Sequence, residues 1–287
     1  MAVIRLGTCS WADAGLLAAW YPRGVSSAAG RLRYYAERFD TVEVDSTYYA
    51  LPHPETAARW VERTPPEFTF NVKASGEMTG HRKGPARETA FSLFRSALEP
   101  LEVSGKWRGV LLQYPPWFVK SAEAKEELVA AGALVAPLVP LVEFRHRSWL
   151  DEDERADTLS FLERHGLAYV SVDAPRTRAA NVLPPVAAAT QRVAYVRFHG
   201  RNAKTWNLRG GTPAQRFDWD YAESELAEWV EPLQRLSTAA DEVYGMFNNN
   251  NQDQAPRAAA VLRRLLDAAG IPATGGSEPE PVAPTLF

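Results

Sequence analysis

Apolar residues recur along this chain with two alternating spacings. Runs of strand length begin near residues 3, 41, 68, 109, 139, 167, 193 and 243. Between most of them, apolar residues recur at helical spacing opposite a charged face, over residues 27–39, 55–64, 88–101, 121–134, 152–165, 221–236 and 255–269. Strands that alternate with helices in this number favour a closed parallel sheet over an open one. The pattern predicts an α/β fold, a TIM-type (β/α)8 barrel, with residues 1–272 as a single domain.

Two segments depart from this alternation. Residues 174–192, between the sixth and seventh strands, contain three prolines and little helical pattern. Since proline removes a backbone donor and clashes inside a helix, this connection is predicted to hold a short helix or an irregular loop. Residues 273–287 are rich in Pro, Gly and Glu, and that composition predicts a disordered C-terminal tail.

Five predicted strands end with two polar side chains placed two positions apart. The pairs are Glu43 and Asp45, Asn71 and Lys73, Glu143 and Arg145, Ser171 and Asp173, and Arg197 and His199. Positions two apart in a strand point to the same face, so each pair is predicted to face the barrel interior while its apolar neighbours face the helices. Active sites of such barrels lie at the C-terminal ends of the strands. The pairs therefore predict a ligand or catalytic site at this mouth.

Acid/base chemistry is predicted for three of these residues. Glu43 and Glu143 are the candidate acids or bases, because a carboxyl group in a crowded apolar interior can have its pKa moved towards neutrality. His199 is a further catalytic candidate, and a metal ligand or a hydrogen-bonded core group is the alternative. The competing interpretation of the carboxylates is a set of buried ion pairs, such as Glu143 with Arg145 or Arg197.

Other residues of the predicted mouth suit ligand binding. Lys73, Arg145 and Arg197 would fix a phosphate, carboxylate or sulfate group, or they could neutralise the acids instead. The remaining predicted substrate-binding residues, from strand ends and βα loops, are Gln113, Asp173, Asn248, Trp11 and Tyr49. The aromatic rings suit a sugar or a nucleobase as well as they suit loop packing.

No cofactor is required by any motif of the sequence. It contains no G-x-G-x-x-G or Walker-type phosphate loop, and its single cysteine, Cys9, is expected to be a buried small hydrophobe. Five histidines are too few for a cluster of several imidazole-bound metals. A single divalent ion held by Glu43, Glu143, Asp173 and His199 is the alternative to a metal-free site.

Charge and hydropathy give expectations for partners and location. The net charge of -3 and the pI of 6.0 provide no overall attraction to nucleic acid or to an anionic membrane. The chain enters a strand pattern at once, without a leader-like segment or a run of about 20 apolar residues. We expect a soluble, cytoplasmic protein, and the sequence carries no signature of an oligomeric state.

Several segments taken together resemble one family. They are LGTCSW (6–11), YYAERFDTVEVDSTYYALP (34–52), TPPEFTFNVKA (64–74), LLQYPP (111–116), LVEFRHRSW (141–149), YVRFHGRN (195–202) and MFNNN (246–250). In this combination the chain resembles the domain-of-unknown-function 72 family, the YecE-like proteins. The resemblance implies a TIM-barrel fold and brings no established activity. Asp45 stands where the family pattern V-E-x-N has Asn, so Glu43 is the stronger candidate carried over by the resemblance.

Three functions are compatible with these observations. The leading expectation is an enzyme that acts on a small anionic substrate, a phosphorylated or acidic sugar-like molecule, by carboxylate acid/base chemistry. The first alternative is nucleic-acid binding or phosphodiester cleavage resembling endonuclease IV, with basic residues around the mouth: Arg82, Lys83, Arg87, Arg176, Arg178, Arg201, Lys204 and Arg209. The second alternative is a ligand-binding barrel without catalysis.

Overall fold

Nine parallel strands form one sheet that curls around a shared interior. A computed structural model describes residues 1–208 and 210–277. The strands are β1 (Ile4–Thr8), β2 (Thr41–Val44), β3 (Thr69–Lys73), β4 (Trp107–Gln113), β5 (Val139–Glu143), β6 (Ala168–Asp173), β7 (Val193–Phe198), β8 (Glu242–Phe247) and β9 (Ala273–Thr274). Their order in the sheet is β2-β3-β4-β5-β6-β7-β8-β1-β9. The predicted parallel α/β architecture is confirmed, with one strand more than the sequence pattern indicates.

Helices connect most of the strands. They are α1 (Ala14–Ala19), α2 (Ala28–Ala36), α3 (Pro54–Glu62), α4 (Arg87–Val103), α5 (Ala122–Val135), α6 (Glu152–Arg164), α7 (Pro213–Arg216), α8 (Glu223–Ala227), α9 (Val230–Ala239) and α10 (Gln254–Ala268). Single 3-10 turns lie at Ser46–Tyr48 and Arg147–Trp149. Residues 174–192 contain no helix, as their prolines predict. The single helix predicted over 221–236 is divided into α8 and α9.

The edges of β1 and β2 meet through a side chain. Within residues 1–208 and 210–277 no backbone ladder joins these two strands. The Tyr35 hydroxyl takes its place: it accepts a hydrogen bond from the Thr8 amide at 3.0 Å and donates one to the Thr41 carbonyl at 3.1 Å. Gly7 permits the approach, since a Cβ atom there would lie 2.8 Å from the Thr41 carbonyl oxygen. The curled sheet is therefore bridged at this seam by a buried tyrosine.

The last described residues extend the sheet. Ala273 and Thr274 pair with Ile4 and Arg5 of β1, although they belong to the segment predicted to be a disordered tail. The Thr274 hydroxyl also donates to Asp40 at 2.7 Å, which fixes this strand beside the seam. The rest of the predicted tail from residue 278 onward lies outside the described residues. Among the described helices, none has both the length and the hydropathy needed to cross a membrane.

Candidate functional site

The strand register determines which polar side chains share the interior face. Neighbouring residues in a parallel ladder point to the same side of the sheet. Glu43 lies beside Asn71 of β3, and Gln113 of β4 lies beside Glu143. Arg197 of β7 contacts the side chains of both Glu43 and Glu143. The predicted facing of the polar pairs is therefore confirmed for β2, β3, β5 and β7.

Arg197 is the centre of this interior cluster. Its side chain is completely buried, and its guanidinium donates to Glu43 Oε1 at 2.5 Å, to Glu43 Oε2 at 3.1 Å and to Glu143 Oε2 at 2.7 Å. A weaker contact of 3.4 Å reaches Asp45 Oδ2. Planar guanidinium groups suit such forked pairing. The predicted substrate-binding role of Arg197 is not supported by this geometry, because its donors are used by acids of the protein.

The two buried glutamates have opposite pKa shifts. Burial raises the pKa of Glu43 to about 7, and nearby Asp45 adds to the rise against the opposing charge of Arg197. Burial acts in the same direction on Glu143, but Arg197, His199 and Arg145 outweigh it and hold its pKa well below the usual range. Glu143 is therefore ionised at neutral pH, whereas Glu43 can gain or lose a proton there.

His199 is held as a neutral ring with both nitrogens engaged. Nε2 lies 3.0 Å from Glu143 Oε1, and Nδ1 lies 2.8 Å from the Asn248 side-chain nitrogen. A carboxylate only accepts and an amide nitrogen only donates, so the proton belongs on Nε2. Burial lowers the pKa of His199 to about 4, which agrees with this assignment. In this state His199 positions Glu143 and has no free lone pair for a substrate.

A cavity of about 500 Å³, here called cavity A, opens above the cluster. Residues at its wall include Asp45, Lys73, Gln113, Arg145 and Asn248, all predicted from strand ends. Glu43, Glu143, Arg197 and His199 are buried and do not line it. The structure thus separates the predicted site into an accessible wall and a buried floor.

Two of the cations at the wall of cavity A are Lys73 and Arg145. Lys73 Nζ is 3.6 Å from Asp45 Oδ1, a loose ion pair, and it also lies 4.9 Å from the centre of the Tyr48 ring. Arg145 uses Nη1 to contact Glu143 at 3.0 Å, and its guanidinium carbon lies 4.7 Å from the Trp206 ring centre. Each of these side chains keeps N–H donors that are not used in a strong ion pair within the protein. An anionic group can use these donors.

Aromatic rings form the rim of the same cavity. Tyr49 contacts Tyr48 with ring centres 5.0 Å apart, Tyr48 contacts His81 at 5.3 Å, and His81 contacts Trp117 at 5.9 Å. The two end rings are exposed, by 60% for Tyr49 and 65% for Trp117. Large exposed aromatic side chains next to a cavity are typical of ligand contact. The predicted position of Tyr49 at the mouth is confirmed.

The prediction that Asp173 faces the interior is wrong. It is paired in register with Phe198 of β7, while Val172 is paired with Arg197, so Asp173 faces the helices. There it accepts hydrogen bonds from Arg201 at 2.7 Å, from Tyr221 at 2.9 Å and from Trp229 at 2.6 Å. A single metal held by the four predicted ligands is excluded by this placement. Among the described residues, no group of three or more His, Cys, Asp or Glu is arranged to hold a metal ion.

Trp11 and the predicted basic rim also lie apart from cavity A. Trp11 packs edge-on against Trp60, with ring centres 5.4 Å apart, beside a neighbouring cavity between α2 and α3. Four of the eight rim cations are paired with acids: Arg82 with Glu77, Arg87 with Glu127, and Arg176 and Arg201 with Glu228. Lys83, Arg178 and Lys204 are exposed, and Arg209 lies outside the described residues.

Several wall residues were missed at the level of sequence. Asp13, His81, Arg216, Phe217 and Asn250 line cavity A, and all belong to loops or short helices after strands. Asn250 donates to Asp13 at 3.1 Å, which links the loop after β8 to the loop after β1. Their signal was their place in the βα connections, which form the mouth of such folds, and for Asn250 also its place in the MFNNN segment of the family pattern. Asp13, His81, Arg216 and Phe217 belong to none of the segments that carry the resemblance.

Two known bacterial proteins are similar in sequence to this chain, one over nearly all of it and one over about half. A curated relative, the UPF0759 protein YunF of Bacillus subtilis, is 31% identical over 272 residues, which are 92% of this chain and 95% of YunF. The UPF0759 protein YecE of Escherichia coli K12 is 28% identical over 167 residues, covering 56% of this chain and 58% of YecE. Both sequences are similar to the chain without bringing a described activity.

Solved structures agree with this relationship. The crystal structure of a DUF72 family protein from Thermotoga maritima has a TM-score of 0.80 and 30% identity, covering 92% of this chain and 99% of the other. A DUF72 family protein from Enterococcus faecalis gives a TM-score of 0.82 at 25% identity, covering 99% and 100%. The family model described as protein of unknown function DUF72 matches residues 5–282. This chain therefore belongs to the DUF72 family.

Proposed function

We propose that this protein is an enzyme that binds a small anionic, sugar-like substrate in cavity A and transfers protons to or from it. The observation that supports this proposal is that the cations differ in burial and in pairing. Arg197 is buried and engaged by Glu43 and Glu143, whereas Lys73 and Arg145 reach the cavity with donors to spare. An internal charge network would not need to present two cations to an open cavity. An external phosphate or carboxylate accounts for them.

The proton chemistry is assigned to Glu43 acting through the cavity surface. Glu43 and Asp45 contact the same Arg197 Nη2 atom, at 2.5 Å and 3.4 Å. Asp45 lies at the cavity wall, and Glu43 below it has a pKa of about 7, so a proton can be held near neutrality within reach of the wall. Glu143 and His199 then serve as positioning residues. The closed eight-fold barrel, completed by Tyr35 at the seam, is part of the same proposal.

Anion titration tests the binding step. Calorimetry with inorganic phosphate and with glucose 6-phosphate would compare the wild type with Lys73→Met and Arg145→Met. Each variant is expected to weaken binding about tenfold or more, because a charge-assisted hydrogen bond is lost. The matched controls are Lys83→Met and Arg108→Met, which remove the same charges from exposed positions outside cavity A. Wild-type affinity in both test variants would contradict the proposal.

Nucleic acid remains the alternative ligand and is the less supported one. Four of the eight basic residues predicted around the mouth are paired with Glu77, Glu127 or Glu228. Paired cations contribute less to the counterion release that drives binding to phosphate backbones. A salt titration with single-stranded and duplex DNA would distinguish the two ligands. Affinity that falls steeply with salt and exceeds that for the sugar phosphate would favour the alternative.

A further inference from the structure

His81 is a wall residue of cavity A that takes no part in the buried cluster. It belongs to the loop after β3, it is partly exposed, and it lines the cavity. Its Nδ1 lies 2.9 Å from the hydroxyl oxygen of Thr79. The other ring nitrogen, Nε2, makes no hydrogen bond within residues 1–208 and 210–277 and is not closed off from solvent. A ligand in cavity A can therefore use this nitrogen.

Contacts with neighbouring segments hold the His81 ring in place. The His81 amide donates to the Gly76 carbonyl at 2.9 Å, which closes a turn within the loop. Arg82 Nη2 donates to the Tyr48 carbonyl at 2.6 Å and so connects the loop to the 3-10 turn after β2. The imidazole packs edge-on between Tyr48 and Trp117, with ring centres 5.3 Å and 5.9 Å away. Such a fixed position is what a group that transfers protons requires.

The protonation of His81 depends on two cations of the same cavity. Burial lowers the pKa of His81 to about 4, and the positive charges of Lys73 and Arg145 act in the same direction. The ring is therefore neutral at neutral pH when the cavity holds no anion. The titratable groups that face it are Lys73 at the end of β3, Glu143 and Arg145 from the end of β5, Arg82 in its own loop, and Tyr48.

An anion bound in cavity A would change this balance. Lys73 and Arg145 are the two cations proposed to hold the anionic group, so a ligand between them neutralises the charges that disfavour a proton on His81. A negative charge near a titratable group moves its pKa by about 1–3 units. Anion binding should therefore raise the pKa of His81 and supply its ring with a proton from solvent.

The partner of Nδ1 permits both protonation states. A hydroxyl can donate and accept, and the Thr79 hydroxyl makes no other hydrogen bond among the described residues, so it can donate to the neutral ring or accept from the charged one. His199 differs, because its Nδ1 faces the Asn248 amide nitrogen, which only donates. His199 cannot gain a proton without losing that contact, whereas His81 can.

We propose that His81 is a second acid/base residue of cavity A, which takes up a proton when an anion binds Lys73 and Arg145 and then donates it through Nε2 to a substrate oxygen. In this step the N–H bond of His81 breaks, an O–H bond forms, and the ring returns to its neutral state. The inference rests on the proposed function, in which Glu43 and Asp45 supply the first acid/base group. The substrate class is then an anionic molecule with a carbonyl or leaving-group oxygen near its negative group.

Sulfate is the probe, because it remains a dianion at neutral and mildly acidic pH. Calorimetry at about pH 5.5 in two buffers of different ionisation enthalpy measures the protons taken up per bound sulfate. At this pH Glu43, with a pKa of about 7, already holds its proton. The wild type should take up roughly 0.2 to 0.9 proton for a pKa rise of about 1–3 units. His81→Gln should take up almost none, and the matched control His165→Gln, at an exposed position, should behave as the wild type.

NMR titration of the His81 ring provides a second readout. Sulfate should raise the His81 pKa of the wild-type protein, and Lys73→Met and Arg145→Met should each raise it without any ligand. Arg108→Met, which removes an exposed charge outside cavity A, should leave it unchanged.

The outcomes separate this inference from the proposed function. Sulfate binding without proton uptake, or uptake that persists in His81→Gln, would overturn the inference and leave the proposed function intact. A His81 pKa that stays the same in both cation variants would overturn it as well. Absence of sulfate and phosphate binding in the wild type would instead contradict the proposed function, and the inference with it.

Discussion

Two buried arginine–carboxylate networks lie on opposite faces of the same sheet. The inner one joins Arg197 to Glu43 and Glu143, and the outer one joins Arg201 to Asp173. The outer carboxylate is saturated, since Tyr221 and Trp229 donate to it as well as Arg201. The inner guanidinium is instead shared between acids. Arg197 and Arg201, four residues apart in the chain, therefore pair with carboxylates in two networks of different kinds.

The difference shows which network can respond to a ligand. Asp173 connects the end of β6 to the α8–α9 segment through the side chains of Tyr221 and Trp229, and it also accepts from Arg201. The inner network reaches cavity A through Asp45, and burial together with the nearby Asp45 charge raises the pKa of its Glu43 against the opposing charge of Arg197. A saturated buried network contributes to the fold, whereas an incompletely balanced one next to a cavity can exchange protons or charge with a substrate.

Removing the outer carboxylate should have the largest effect on stability. Asp173→Ala leaves Arg201 with only its more exposed acidic partners and leaves two aromatic donors unpaired. We expect the free energy of unfolding to fall by about 3–5 kcal/mol, as for other broken buried pairs. Urea unfolding measures this loss. The control is Asp241→Ala, which removes the exposed ion pair between Asp241 and Arg192. A loss below about 1 kcal/mol would contradict a structural role for the outer network.

Glu143→Gln should have a smaller effect, because the amide retains one acceptor. Its nitrogen must face either Arg197 on one side or Arg145 and His199 on the other, so at least one charge-assisted bond is lost. We expect a loss of about 2 kcal/mol in unfolding free energy. A catalytic Glu143 would instead keep its melting temperature and lose turnover about 100-fold or more once a substrate is known. Stability and turnover measured on the same variant separate these two roles.

The protonation of Glu43 gives the smallest effect when it is measured per pH unit. Its folded-state pKa is raised from 4.5 to about 7, so the stabilisation present below pH 4.5 is lost as the pH rises towards 7. Relative to Glu43→Gln, the wild type should lose at most about 1.4 kcal/mol per pH unit across this window. Urea unfolding at pH 5, 6 and 7 gives the slope. Parallel profiles for the two proteins would mean that Glu43 stays ionised throughout.

Much of the fold and part of the candidate site could be predicted from sequence because those features are local. The alternation of strand and helix spacing depends on which residues are apolar, and it determined the parallel α/β architecture. The two-residue repeat within a strand placed Glu43, Lys73, Glu143, Arg145 and Arg197 on one face. The prolines of 174–192 excluded a regular helix there. Each of these inferences needs only neighbouring residues.

Only the tertiary structure decided which face of β6 looks inward and how deep each side chain lies. In that strand Val172 alternates with Ser171 and Asp173, and register with Arg197 selected the valine for the interior. The non-helical segment then covers the polar face, where the Ala188 amide donates to Ser171 Oγ at 3.4 Å. Glu43 is buried, whereas Asp45, two residues further along the chain, lies at the wall of cavity A. Register, depth and the Tyr35 seam depend on contacts between distant segments, which local spacing does not encode.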